Sequence, residues 1–324
     1  MRSIQTTIVF PLSSVKPLDG QQRYRERCLA EARKALRRGV QWRRECPACA
    51  LTLEAFGDVE GLDYVRCPGC GSLFLAPMAA ASDWALALKE VTRYRQSKDA
   101  FHAGITQSRY ENVLAPKLDW IQSTLRLQQV SQPRLLEVAT PPSDVEELLE
   151  ESGLFSEVVA IDEMDLVAAP ATPEHPAGFF DGVLMLESLD RVSDPAALLR
   201  ALSSRLVAGG LLFVTALVSS GFDVAVLGLR NLYLYPPDRA NCFSRRGLEL
   251  LLTRAGFTLL EVSTPGVLDV EIVQAHLRQI PSLILSGFER QLLAATAETQ
   301  AAFQAFLQQH GMSSFARVVA RKRP

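Results

Sequence analysis

Nowhere in the 324 residues does an unbroken apolar run reach the roughly 18 that a membrane-crossing helix needs. The apolar stretch nearest the N-terminus, Ile8-Val9-Phe10, ends at Pro11 and is too short for the core of a signal peptide. Excess charge of one sign is missing too. A formal net charge of -2 gives the chain as a whole no field for a polyanion, so neither a membrane nor a nucleic acid is expected as a partner. No internal repeat or low-complexity tract appears. Disulfide-style cysteine usage is also absent: of Cys28, Cys46, Cys49, Cys67, Cys70 and Cys242, four fall into two CxxC pairs, the pattern of metal binding in a reducing compartment. A cytoplasmic protein is therefore expected. Its 48% hydrophobic and 22% charged residues are ordinary for a globular chain, with room for about two domains.

What is present begins with Cys46-Pro-Ala-Cys49, a 17-residue spacer, and Cys67-Pro-Gly-Cys70-Gly71. Each CxxC turn presents two sulfurs from one knuckle, and four thiolates satisfy tetrahedral zinc. Gly71 permits the positive backbone angle such a turn tends to need. Leu51 to Phe56 and Tyr64-Val65 read as short strands, which predicts a zinc-ribbon hairpin. A redox dithiol is the competing use of either pair, but two pairs at ribbon spacing favour Zn(2+) on Cys46, Cys49, Cys67 and Cys70. Four cysteines leave no coordination position for water, so the metal's expected role is structural.

Upstream, residues 1–20 read as a surface arm. Gln21 to Arg38 carries Tyr24, Cys28, Leu29, Ala32 and Leu36 at helical spacing, a basic amphipathic helix ending near Gly39. With no stacking aromatics interleaved among its charges, its arginines read as a solvated face rather than an RNA or lipid surface. Residues 83–128 read as helices with Pro116 as the one internal break.

The stretch from Arg134 to Asp162 organises the rest. Leu135, Leu136 and Val138 form an apolar run too short for a helix, broken at Thr140-Pro141-Pro142. A helical pattern starts at Asp144 and stops at Gly153, and Val158 to Ile161 is a second apolar run. Strand, helix and strand this close predict a parallel pair with a right-handed crossover. Ser143 and Glu146 have capping-box spacing. A ligand is then expected at the carboxyl ends of the strands, above the helix N-terminus. Beyond a Pro- and Ala-rich loop from Val167 to Gly178, Phe179 to Glu187 reads as a strand and Pro195 to Arg205 as a helix opened by Asp194-Pro195. Gly210 to Leu217 is a further strand, Ser244 caps a helix ending at Ala255-Gly256, and Phe257 to Val262 is a strand. Leu283 to Gln309 offers helices, and Ser314 to Ala320 reads as the last strand.

These landmarks in this order resemble the class I S-adenosylmethionine-dependent methyltransferases. Glu137 ends the first strand, Asp162 ends the second, and Phe180-Asp181-Gly182-Val183 opens a third. Glu187-Ser-Leu-Asp-Arg-Val192, the Gly209-Gly210 turn, Phe243-Ser244 and Ala255-Gly256-Phe257 follow. Ser72-Leu-Phe-Leu-Ala-Pro77 and Thr264-Pro-Gly-Val-Leu-Asp269 resemble segments of bacterial methyltransferases with an N-terminal zinc module. The resemblance implies S-adenosylmethionine as cofactor, near Glu137, Ala139, Ser143, Asp162 and Glu187, with Asp162 on the ribose hydroxyls. It also implies that helices before the first strand cover the site, where His102 or Tyr110 would face substrate if they do more than pack.

The chain departs from that pattern at the glycine-rich loop. Aligned from Glu137, its three glycine positions hold Ala139, Pro141 and Ser143. Pro141 and Pro142 also lack backbone donors. If both donors contact the ligand in the family, losing two hydrogen bonds at about 0.5–1.5 kcal/mol each weakens binding roughly 5- to 150-fold. Where the subgroup carries E-H-V and P-x-H, this chain has Asp190-Arg191-Val192 and Pro237-Asp238-Arg239. An arginine does not surrender its proton, so neither position can act as a general base. A carboxylate or a phenol remains: Glu187, Asp190, Asp238 and Tyr233 are the catalytic candidates, with Tyr235 beside them.

The expected architecture is α/β, a class I methyltransferase-like (Rossmann-like) seven-strand sheet with an N-terminal zinc ribbon and helical connector. Its parts are an arm and basic helix (1–44), the ribbon (45–78), the connector (79–132) and the methyltransferase-like domain (133–324). The expected function is methyl transfer to a small-molecule or glycan-related substrate. The alternative is a catalytically inactive methyltransferase fold serving as a binding or scaffold module for a protein partner.

Overall fold

The structure is a computed structural model and describes residues 10–16, 18–97, 106–139, 143–168, 172–280 and 283–324. Thr140, Pro141 and Pro142, whose missing donors bear on the cofactor loop, lie outside these residues, as do Phe101, His102 and residues 1–9 and 17 of the N-terminal arm. The N-terminal part supplies β1 (Gln41–Trp42), β2 (Glu54–Val59), β3 (Leu62–Arg66), β4 (Leu73–Leu75) and β5 (Pro77–Met78). The remainder supplies β6 (Arg134–Val138), β7 (Glu157–Ile161), β8 (Phe180–Leu186), β9 (Leu206–Leu217), β10 (Asn241–Cys242), β11 (Phe257–Ser263) and β12 (Phe315–Lys322).

The larger sheet has the order β11-β12-β9-β8-β6-β7. β7, β6, β8 and β9 run parallel, and β12 lies antiparallel between β9 and β11. Leu135, Leu136, Val183, Leu184 and Met185 are fully buried, as parallel strands covered on both faces require. Their alternation splits the core. Leu135, Leu184 and Phe213 face Trp120 and Ile121 of helix Ala115–Leu127, whereas Leu136, Met185 and Val214 join the cluster that holds Phe74 and the ribbon cysteines. A Cβ at Gly182 would stand 2.7 Å from Leu135, so the β6–β8 contact is open only to glycine unless that leucine moves.

Six strands stand in this sheet where seven were expected. After β7 the chain forms helix Glu163–Ala168 and, among the described residues, no strand before β8. Prolines at 173 and 176 remove ladder donors there, and no alternating apolar pattern compensates.

The ribbon sheet reads β10-β4-β3-β2, so a strand from the far side of the sequence completes the hairpin. Helix Leu18–Leu36 buries Tyr24, Cys28, Leu29 and Ala32 in one cluster with Tyr64, Leu75 and Trp84. Its basic face is used internally: Arg25 and Arg33 pair with Glu60, Arg27 with Glu31 and Arg38 with Asp83. Asp194 and Ser244 cap their helices as the sequence indicated. Ser143 also caps, accepting from the Val145 amide, but the box is not closed, because Glu146 instead accepts from the Ala160 amide of β7 at 2.7 Å. Tying the helix to the neighbouring strand satisfies an amide that a box would leave to other partners.

Candidate active site and metal centre

The four ribbon sulfurs lie within 4.8 Å of one another, with Cys46 and Cys70 at 3.7 Å and Cys49 and Cys67 at 3.2 Å. All four cysteines are free of disulfides. Tetrahedral zinc with sulfur bonds of about 2.3 Å separates its ligands by roughly 3.8 Å, so donor type and spacing fit that ion. The hydrogen bond from the Cys46 thiol pushes Cys70 down to about 4, so one thiolate is favoured even before a cation contributes. The knuckle is anchored to the large domain. The Ser244 amide donates to Ser72 Oγ at 2.9 Å, Arg254 donates to the Ala48 carbonyl at 3.0 Å, and a Cβ on Gly247 would meet Ser72 Oγ at 2.2 Å.

A cavity of about 720 Å³ opens above the carboxyl ends of the central parallel strands. Glu137, at 4% exposure, and Asp162, at 8%, bring carboxylates from β6 and from the end of β7 to its wall, where Ala139 and Ser143 also lie. Ala139 extends the pairing of those strands by donating to the Ile161 carbonyl, and Asp162 accepts from the Met164 amide at 3.0 Å. Beside it, burial and then the Asp162 charge push Glu163 up to about 8.

The opposite wall is an ion-pair network. Glu187 follows β8 directly with φ at +62°, a left-handed conformation uncommon for a side chain of its size. Its amide donates to the Thr215 carbonyl, while Lys117 Nζ and Arg239 Nη2 donate to its two carboxylate oxygens at 2.9 and 2.8 Å. Lys117 foremost, with Arg239 behind it, holds the Glu187 carboxyl well below its ordinary range, despite the opposing effect of burial. Burial works to raise Asp238, but Arg191, 3.3 Å away, and Arg239 outweigh it and keep that carboxyl low. Tyr233 is pushed above the ordinary phenol range by burial and by Asp223 and Glu271.

Asp190 stands apart. Fully buried, it accepts from the Leu217 amide and lies 3.5 Å from Arg239, but it is not among the residues that line the cavity. Burial pushes it up to about 7. Glu137, Ala139, Ser143, Asp162, Glu187, Asp238 and Tyr233 do line it. So do Pro265, Gly266 and Asp269 of the Thr264–Asp269 motif; Asp269 is held there by Gln304, Ser313 and the Ser314 amide. Lys16, Lys117, Arg109 and Asp223 are wall residues that sequence reasoning missed. No local pattern marks them, because their partners are far away along the chain. Arg191 and Arg239 are each committed to a carboxylate, which gives both arginines a fixed structural use.

The profile of a methyltransferase domain matches residues 110–262. No curated protein sequence matches the chain. Similar solved structures include the Burkholderia thailandensis 1,6-didemethyltoxoflavin-N1-methyltransferase with bound 1,6-didemethyltoxoflavin and S-adenosylhomocysteine. It is 14% identical, with 84% of this chain and 100% of that one covered and a TM-score of 0.45. An S-adenosylmethionine-dependent methyltransferase from Mesorhizobium loti is 17% identical over 63% of this chain and 97% of its own, with a TM-score of 0.37. One from Archaeoglobus fulgidus is 12% identical over 63% and 94%, also at 0.37. Likeness this distant carries no substrate across.

Proposed function

We propose, from the match of residues 110–262 to the profile of a methyltransferase domain, that the protein is an S-adenosylmethionine-dependent methyltransferase acting on a small-molecule or glycan-related acceptor. One observation carries this reading: the cavity of about 720 Å³ bounded by Glu137, Ala139, Ser143 and Asp162 at the strand ends. That volume lies within the range of about 300–1,000 Å³ typical of small-molecule sites. The carboxylates, as hydrogen-bond acceptors, suit a cofactor rich in hydroxyl and amino groups, with Asp162 assigned to the ribose and Glu137 beside it. S-adenosylmethionine, when bound, supplies an electrophilic methyl group. The protein's part is to position the acceptor in line with it, a task that placement accomplishes largely without proton transfer. Glu187, strained and clamped by two cations, is suited to orienting an acceptor and not to taking its proton.

The zinc ribbon supports the site mechanically. β10 pairs with β4 just past Arg239, and Tyr64 of the ribbon donates to the Arg239 carbonyl at 2.8 Å. A metal with four thiolate ligands here holds structure and offers no reactive position.

A specific observation favours the second reading, a catalytically inactive binding module: the two positions where the resemblance would place histidine hold Arg191 and Arg239, both locked in ion pairs. Calorimetry with S-adenosylmethionine and S-adenosylhomocysteine up to millimolar concentration separates the two. Saturable heat that falls in Asp162→Ala supports the enzyme; no heat and no thermal shift would remove it.

A further inference from the structure

Lys16 is a cation of the cavity wall with no carboxylate partner among the described residues. The segment that carries it is tied down on both sides. The Leu12 amide donates to Glu271 at 2.9 Å, Arg109 donates to the Val15 carbonyl at 3.1 Å, and Leu12 and Val15 are buried. The Lys16 ammonium lies 4.0 Å from the centroid of the Tyr233 ring. No carboxylate of the described residues is close enough to pair with it.

The charged groups around Lys16 explain why. Glu187 and Asp223 attract it, while Arg239 and Arg109 repel it. Both Glu187 oxygens are already taken, by Lys117 and Arg239. Both Asp223 oxygens are taken as well, by the Val224 amide at 2.8 Å and by Asn231 at 3.0 Å. The local anions are therefore consumed by other partners, and Lys16, Arg109 and Arg239 converge on the same end of the cavity.

We propose that this end is an anion subsite, with Lys16 as its principal contact, and that the methyl acceptor carries a carboxylate or a phosphate which docks there. This rests on the methyltransferase reading above and adds to it the charge class of the substrate. An ammonium half-withdrawn from water without a counter-ion is costly, and a ligand anion would restore part of what burial removed. Burial, the largest effect, already pushes Lys16 down to about 8. Glu187, Arg239 and Arg109 face it as ions, Tyr233 as a neutral phenol, and Asp223, pushed by burial up to about 7, titrates just below it; anion affinity should be high near pH 7 and decline as the pH rises past about 8.

The test is titration of the full-length protein, saturated with S-adenosylhomocysteine, with inorganic phosphate in one arm and benzoate in the other. Binding in at least one arm is expected, at least 10-fold weaker in Lys16→Gln and largely kept in Lys16→Arg. The stronger arm identifies the acceptor's anionic group. S-adenosylhomocysteine affinity should change less than 2-fold in both variants, which shows that they fold. Binding of neither anion to the cofactor-loaded protein, or binding indifferent to Lys16→Gln, overturns the subsite. Failure of S-adenosylhomocysteine itself to bind overturns the methyltransferase reading and the acceptor assignment with it.

Discussion

The cysteine knuckle and the charged wall of the cavity both aim several side chains at one point, yet they reach it by opposite routes. In the knuckle the paired sulfurs are 24 and 18 residues apart in sequence, and two tight turns bring them together. In the wall, Glu187 meets Lys117 from 70 residues away and Arg239 from 52. The first arrangement closes on itself and leaves nothing for a ligand but a metal. The second leaves a cation over. Closure is the mark of a structural site here, and the surplus charge marks a binding one.

The largest effect should come from breaking the knuckle. Cys67→Ser should release the metal, measured by elemental analysis, and lower the melting temperature by roughly 10 °C, because the cysteines belong to the main core cluster. If the melt splits into two transitions, ribbon and sheet are less coupled than their shared β10–β4 pairing indicates.

Next in size is Arg239→Ala, which strips a partner from Glu187 and from fully buried Asp190 and should cost about 3 kcal/mol by chemical denaturation. It should also flatten the acid limb of the stability curve. Glu187 has a folded pKa below its unfolded value, mainly through Lys117 and then Arg239, so its contribution is full above about pH 4.3 and is lost as the pH falls. A variant with an unchanged acid limb would show that Lys117 alone holds that carboxylate.

Asp162→Ala tests the cofactor side of the cavity. It should weaken S-adenosylhomocysteine about 10- to 100-fold by calorimetry while leaving the metal in place. Smallest of all, Ser143→Ala removes only a helix cap and should cost about 1 kcal/mol. A loss of ligand affinity in that variant, beyond what the cap explains, would make Ser143 a ligand contact as well.

Much of the frame was legible in advance. The CxxC spacing named the sulfurs that converge, Asp194 and Ser244 announced the helices they cap, and Glu137 and Asp162 were recognisable as strand-end acids that now face the cavity. Glu146 was misassigned, because an amide of β7 competes for it at close range. Asp190 is adjacent in sequence to wall residues, but backbone direction after β8 turns its carboxylate to the Leu217 amide instead. A seventh strand was expected from resemblance, yet among the described residues none forms between Ala168 and β8, where the sequence itself reads as a proline-bearing loop.

From the order of residues alone came the four cysteines that cluster, the strand ends and most caps. These depend on spacings of a few residues, where backbone geometry leaves few options. Only the folded chain decided that Arg191 and Arg239 are spent on carboxylates and that Lys16 enters the cavity without one. Ion pairing is settled by distances of a few ångströms between segments far apart in sequence, and no local pattern encodes which charge will be left over.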